Sequence, residues 1–190
     1  MAKTRLKRGA AFIIAAAILF ALAACSSGAG GEADKEQKFP DFEGMDLYGN
    51  AVDSGIFAEN AFTVVNFWFS DCPPCLAELG DLDALNESVK EEGGEVIGIN
   101  TYTLLGREDL REQARGILES SGARYRNVWF DADSEAGQFC LSVEKYPTTC
   151  VVDREGNIVG GGIFGGINNR SVMDALREQI DIALERDGSE

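Results

Sequence analysis

The chain has 190 residues, a formal net charge of −15, five cysteines and no histidine. Four basic residues and no acidic one precede Cys25, so the remainder sets 13 Lys and Arg against 32 Asp and Glu. A surface that acidic repels nucleic acid and anionic lipid headgroups, which excludes nucleic-acid partners. Without histidine there is no Ser-His-Asp or Cys-His machinery and the commonest zinc and copper ligand is missing, which leaves cysteine as the obvious reactive group.

The first 25 residues divide into three parts. Lys3, Arg5, Lys7 and Arg8 form a basic start, Ala10 to Ala24 is an unbroken apolar run of 15 residues, and Leu22-Ala23-Ala24-Cys25 closes it. A run of that length is short for a hydrocarbon core, which takes about 20 helical residues. It fits the apolar region of an export signal whose basic end stays in the cytoplasm. Leu22-Ala23-Ala24-Cys25 is similar to a bacterial lipobox, in which the cysteine is acylated and becomes the new N-terminus. The alternative is an ordinary signal peptide or an uncleaved anchor in which Cys25 is incidental. Residues 26–38 (SSGAGGEADKEQK) are Gly/Ser-rich, then charged, and read as a flexible tether. The expected organisation is a leader over 1–25, a tether over 26–38 and one domain over 39–190, held by a lipid anchor on the outer face of the cytoplasmic membrane, where disulfides persist.

Phe42 to Val52 carries a Gly49-Asn50 turn signal and reads as a hairpin. Ala61 to Phe69 (AFTVVNFWF) is apolar throughout and rich in β-branched and aromatic residues, as a strand buried on both faces is. Leu76, Leu79, Leu82, Leu85 and Val89 then recur at helical spacing up to Gly93-Gly94, and Glu95 to Asn100 forms a second strand. Arg107 to Ser120 reads as a helix, Val128 to Asp131 as a short strand and Ser134 to Phe139 as a short helix. Thr148 to Asp153 and Asn157 to Gly160 flank Arg154-Glu155-Gly156 as a hairpin. Val172, Leu176, Ile180 and Leu184 mark a closing amphipathic helix capped by Asn169 or Ser171. The pattern is an α/β fold with a central mixed sheet flanked by helices.

The segment Asn66-Phe67-Trp68-Phe69-Ser70-Asp71-Cys72-Pro73-Pro74-Cys75 places a C-x-x-C between the buried strand and the first long helix. A thiol at a helix N-terminus faces unpaired backbone N–H groups and the positive end of the helix dipole, which stabilise its thiolate. Two intervening residues bring the second sulfur to the first within one turn, and Pro73 and Pro74 suit a turn whose N–H groups lack intrahelical partners. The competing readings are an inert disulfide or half of a zinc site. Zinc would need two more soft ligands, and Cys140 and Cys150 lack close spacing. No metal or other cofactor is expected beyond the cysteine pair.

From about Phe39 to Leu184 the chain resembles the TlpA/ResA group of extracytoplasmic thioredoxin-like proteins. The resemblance rests on Phe39-Pro40-Asp41-Phe42, the hairpin Asp46 to Asn50, Asn66-Phe67-Trp68, Cys72-Pro73-Pro74-Cys75, and Tyr146-Pro147-Thr148-Thr149. It implies a thioredoxin-like fold with an N-terminal hairpin extension and a cis Pro147 lying against the redox pair. It makes Cys72 the attacking thiol and Cys75 the resolving one. Trp68, Pro73, Pro74, Tyr146 and Pro147 become substrate contacts, the backbone of Tyr146 pairing with the bound strand. Glu78 matches an acidic residue that tunes the thiols, although a solvated first-turn carboxylate is the equal alternative. Two departures stand out. Asp71 replaces a usual aromatic residue and would oppose thiolate formation if poorly solvated. Asn66 stands where thioredoxin has a buried aspartate, which leaves Glu78, Asp71 or water to move a proton.

Cys140 and Cys150 remain. They read as a disulfide bracing the Pro147 loop, as separate buried thiols, or as a second redox relay. The resemblance implies reduction of disulfides in exported proteins, including apocytochromes before haem attachment in cytochrome c maturation, with electrons from a membrane thiol-transporting reductase. The alternatives are a thiol oxidase, a peroxidase, for which the Thr expected before the reactive Cys is absent, and a non-catalytic surface-binding lipoprotein.

Overall fold

The computed structural model describes residues 37–188, so the leader, Cys25 and most of the tether lie outside the described residues. The tether gives way to the domain slightly earlier than expected. Ile158 N–H donates to the Gln37 carbonyl at 2.7 Å, Lys38 bridges Asn157, and Phe39 N–H donates to Gly156 at 2.9 Å. Among the described residues no helix is long and apolar enough to cross a membrane.

The hairpin forms as the turn signal predicts, with β1 (Glu43–Asp46) and β2 (Ala51–Asp53) antiparallel. Gly49 takes φ 88°, a conformation that favours glycine, while Asp46 Oδ1 accepts the N–H of Tyr48 at 2.8 Å and of Asn50 at 2.9 Å. Burial alone would raise the Asp46 carboxyl, but the hydrogen bonds from Asn50 and Tyr48 outweigh it and hold it below its ordinary value. A single helical turn, α1 (Ile56–Glu59), follows and buries Ile56 and Phe57.

All seven residues of β3 (Phe62–Trp68) are buried, because the strand is central and covered on both faces. It runs parallel to β4 (Gly94–Asn100) through the crossover helix α2 (Pro73–Lys90). A 3-10 turn (Thr103–Leu105) and α3 (Glu108–Ser121) lead to β5 (Arg126–Phe130), parallel to β4. Then come α4 (Glu135–Leu141), capped by Ser134, the antiparallel pair β6 (Thr148–Asp153) and β7 (Ile158–Phe164), and α5 (Arg170–Asp187), whose N-cap is Asn169. The sheet order is β2-β1-β5-β4-β3-β6-β7, with β6 antiparallel to β3 and β1 antiparallel to β5.

One face of the sheet packs Val64 and Val96 against Leu79 and Leu82 of α2 and Leu176 and Ile180 of α5. The other gathers Phe39, Phe42, Phe57, Phe67 and Phe130. There the ring centroids of Phe39 and Phe57 are 5.3 Å apart and those of Phe42 and Phe130 4.8 Å, contacts worth about 0.5–1.5 kcal/mol each beyond burial. Phe42 of the expected hairpin extension, with Phe39 just before it, thus helps seal the second core. Leu76 departs from the helical stripe: it is 36% exposed in the first turn of α2, beside the cysteines.

Candidate active site

Cys72 caps α2 from an extended conformation, and Pro73 and Pro74 occupy its first turn. Neither proline forfeits an intrahelical hydrogen bond there. Cys72 and Cys75 are joined in a disulfide with a Cα–Cα distance of 5.3 Å, and Cys72 Sγ accepts the N–H of Cys75 at 3.3 Å. That N–H would stabilise a Cys72 thiolate after reduction. Cys72 is 4% exposed and Cys75 fully buried, so the first sulfur is the one an incoming group reaches. The sulfurs sit over the C-terminal ends of β3 and β4, where an α/β sheet places its ligands.

The Tyr146–Pro147 peptide is cis, as the resemblance implies. Its loop adjoins the pair through Phe69, whose carbonyl accepts the Cys72 N–H at 3.2 Å and whose ring meets that of half-buried Tyr146 edge-on at 5.0 Å. The Pro147 carbonyl is taken by Gly165 N–H at 2.9 Å, and the Tyr146 phenol bonds Thr101. Pro73 and Pro74 are exposed beside the sulfurs, whereas Pro147 is buried.

Glu78 is no solvated carboxylate. It is fully buried on the helix face of Cys75, three residues on. Its Oε1 accepts Asn66 Nδ2 at 3.0 Å and its Oε2 accepts the N–H of Ile167 at 2.6 Å. Burial pushes its carboxyl above the ordinary value, against the hydrogen bonds from Ile167 and Asn66, and Asp81 adds to the rise. A buried carboxyl whose affinity for a proton is raised in this way is suited to proton transfer. Asn66 also donates to Thr149 Oγ1 at 3.0 Å, across from it on β6. Thr149 and the Ile167 amide are site components that no local sequence signal exposes, although Thr149 stands within the Tyr146-Pro147-Thr148-Thr149 motif. Asp71 is exposed to water, which weakens the repulsion expected of it.

One expectation is corrected, and one open choice, which includes the possible 140–150 disulfide, is decided. Trp68 is fully buried, and its Nε1 donates to Asn127 Oδ1 at 2.8 Å, so it braces the sheet and presents no surface for a substrate to meet. Cys140 and Cys150 form no disulfide; both are free and buried, on α4 and β6. Burial raises both thiols, Cys150 to about 12, which disfavours their thiolates, and they pack as small apolar groups. Among the described residues no three His, Cys, Asp or Glu side chains converge as metal ligands. A groove of about 500 Å³ between the β1–β2 hairpin and α3, lined by Met45, Tyr48, Arg111 and Trp129 among others, contains neither sulfur of the disulfide.

The arrangement has the parts that thiol–disulfide exchange requires: an N-capping sulfur that is the accessible one, a buried partner beside it, and a buried carboxyl one turn further along.

The chain is similar to known proteins. The chain is 34% identical over 96 residues to the thiol:disulfide interchange protein HelX of Rhodobacter capsulatus, covering 50% of this chain and 48% of that protein. It is equally 34% identical over 96 residues to the thiol:disulfide interchange protein DsbE of Allochromatium vinosum, with the same coverage. The match thus spans about half the length of these curated relatives. A crystal structure of a thioredoxin-family thiol:disulfide interchange protein from Chlorobium tepidum superposes with a TM-score of 0.58 at 24% identity, over 78% of this chain and 97% of that one, and shows the shared thioredoxin-like fold. The model of the redoxin family matches residues 34–176, most of the chain, and the chain belongs to the redoxin family.

Proposed function

We propose that the chain is a thiol–disulfide oxidoreductase that reduces disulfides in exported proteins. The observation that carries the reading is the Cys72–Cys75 disulfide at the N-terminus of α2, with the cis-proline loop alongside. In the reduced protein the Cys72 thiolate attacks a substrate disulfide, forming a mixed disulfide and releasing one substrate thiolate. Cys75, giving its proton to Glu78, then attacks the Cys72 sulfur. The second substrate thiolate leaves and the bond between Cys72 and Cys75 closes. Two electrons pass to the substrate, and a thiol donor must supply two to restore the pair.

The direction follows from the TlpA/ResA resemblance, which also supports apocytochromes as substrates and a membrane thiol-transporting reductase as donor. The basic start, apolar run and Cys25 support a lipid anchor outside the cytoplasm. Trapping with Cys75→Ala tests the reading. The variant is expected to stall as a mixed disulfide on Cys72 with exported proteins, and Cys72→Ser is expected to lose insulin disulfide reduction. Insulin reduction that survives Cys72→Ser refutes the exchange assignment. A reduction potential near −120 mV, where strong oxidants lie, and not near about −270 mV, overturns the reductase direction.

A further inference from the structure

The hydrogen bonds beneath the disulfide join three parts of the chain. Glu78 comes from α2, Asn66 from β3 and Thr149 from β6, two residues past the cis proline. We propose that Asn66 is a positioning residue of the exchange reaction, its side-chain N–H groups holding the Glu78 carboxylate below Cys75 and tying it to Thr149. The inference rests on the exchange reading and adds to it the residue that aims the proton acceptor.

Asn66 is fully buried, and both of its side-chain hydrogen bonds are donations of Nδ2, at 3.0 Å each. Its Oδ1 is buried and has no hydrogen-bond partner. The two donations orient the amide, its N–H groups toward the carboxylate and the hydroxyl. A carboxylate only accepts, so the N–H must face Glu78 whenever Glu78 is ionised. An aspartate at the same place would set two carboxylates about 3 Å apart, and such a pair does not ionise together.

The groups that act on Glu78 come from every neighbouring element. Cys75 and Asp81 share its helix, Asn66 faces it from β3, and the Ile167 N–H reaches it from the segment before α5. The buried Tyr125 phenol, just before β5, lies within electrostatic range. Of these, the Asn66 amide and the Ile167 amide stabilise the charged form.

The test follows the pH dependence of mixed-disulfide resolution, with insulin as substrate, in the wild type, Asn66→Ala, Asn66→Asp, Glu78→Gln and the exchanged pair Asn66→Asp/Glu78→Gln. In the wild type the rate rises as Glu78 ionises. Loss of the donated hydrogen bond is expected to move that rise up by about one to two pH units, roughly a tenfold or greater loss below it. The exchanged pair rebuilds donor and acceptor with their roles reversed. It is expected to recover thermal stability and to regain a pH step that Glu78→Gln alone lacks, the titrating carboxyl now being the one introduced on β3.

A residue with a structural role only would lower the melting temperature and leave the pH profile unmoved. The proposal is overturned if folded Asn66→Ala keeps the wild-type profile. Should the single variants not fold, it is overturned if the exchanged pair merely reproduces the Glu78→Gln profile. Wild-type protein without exchange activity would instead refute the exchange reading, and this inference with it.

Discussion

Trp68→Phe removes the indole N–H and part of one ring from a site with no access to water. Trp68 Nε1 supplies Asn127 Oδ1 with a hydrogen bond of 2.8 Å, and Asn127 is itself 4% exposed. The geometry is tight: a Cβ at Gly98 would stand 2.1 Å from Asn127 Oδ1, so only glycine on β4 lets that amide reach the indole. The Asn127 Nδ2 is already committed to the Tyr125 carbonyl at 3.2 Å, which stops the amide from turning over to compensate. Phenylalanine therefore leaves a buried acceptor unsatisfied, at a cost of about 1–3 kcal/mol. The lost ring atoms open a space of about 40 Å³, which adds about 1 kcal/mol at ~24 cal/mol per Å³. The sum, about 2–4 kcal/mol, corresponds to a fall in melting temperature of roughly 5–15 °C for a domain of this size. Urea unfolding with an unchanged slope measures it. Insulin reduction by the folded variant is expected to stay within about twofold of wild type, because the indole presents no surface for a substrate to meet. A stability loss under about 1 kcal/mol together with a tenfold fall in kcat/KM would refute this reasoning and return Trp68 to the substrate surface.

Glu78→Gln changes how stability depends on pH. The folded carboxyl lies above its unfolded value of 4.5, so the folded state holds its proton where the unfolded state has released it. Its contribution to stability is complete below the unfolded value and is lost as pH rises through the folded one. The wild type should therefore lose stability relative to Glu78→Gln as pH rises from about 4.5, read as paired denaturation curves; a constant or opposite difference would count against a buried, raised carboxyl. Cys140 and Cys150, buried and unpaired, should resist iodoacetamide in the native protein and take up two labels in denaturant, by mass. A linked 140–150 peptide from the non-reduced native protein would restore the disulfide reading.

Much of the architecture is written locally. The all-apolar run of β3, the Gly49-Asn50 turn and the stripe Leu79, Leu82, Leu85 and Val89 each carry their own periodicity, and each forms. α1 and the 3-10 turn at Thr103–Leu105 escape such reading, since four and three residues are too few to show a period. Trp68 fails for another reason. When every residue of a strand is buried, alternation no longer says which face a side chain takes, and nearness to Cys72 in sequence becomes a misleading guide. Glu78 could be seen as a candidate but its environment could not, because its partners lie 12 and 89 residues away. The same holds for Cys140 and Cys150: a spacing of ten residues is compatible with a bridge, and only the folded structure shows both thiols free, on α4 and β6.

That those two thiols are left free has a consequence before the fold is complete. Four cysteines in the domain offer wrong partners as well as the right one while the chain is still open. Chain statistics favour the native choice at first, since Cys72 and Cys75 are three apart and every other pairing must close a longer loop. That advantage grows only with the logarithm of loop length, so it biases pairing without securing it. Lasting protection comes when the two cores close, one over Cys140 and Cys150 and the other over Cys75. Rapid collapse of the phenylalanine-rich face would then act as a safeguard of oxidation state, sequestering two thiols from the reaction proposed for the other two.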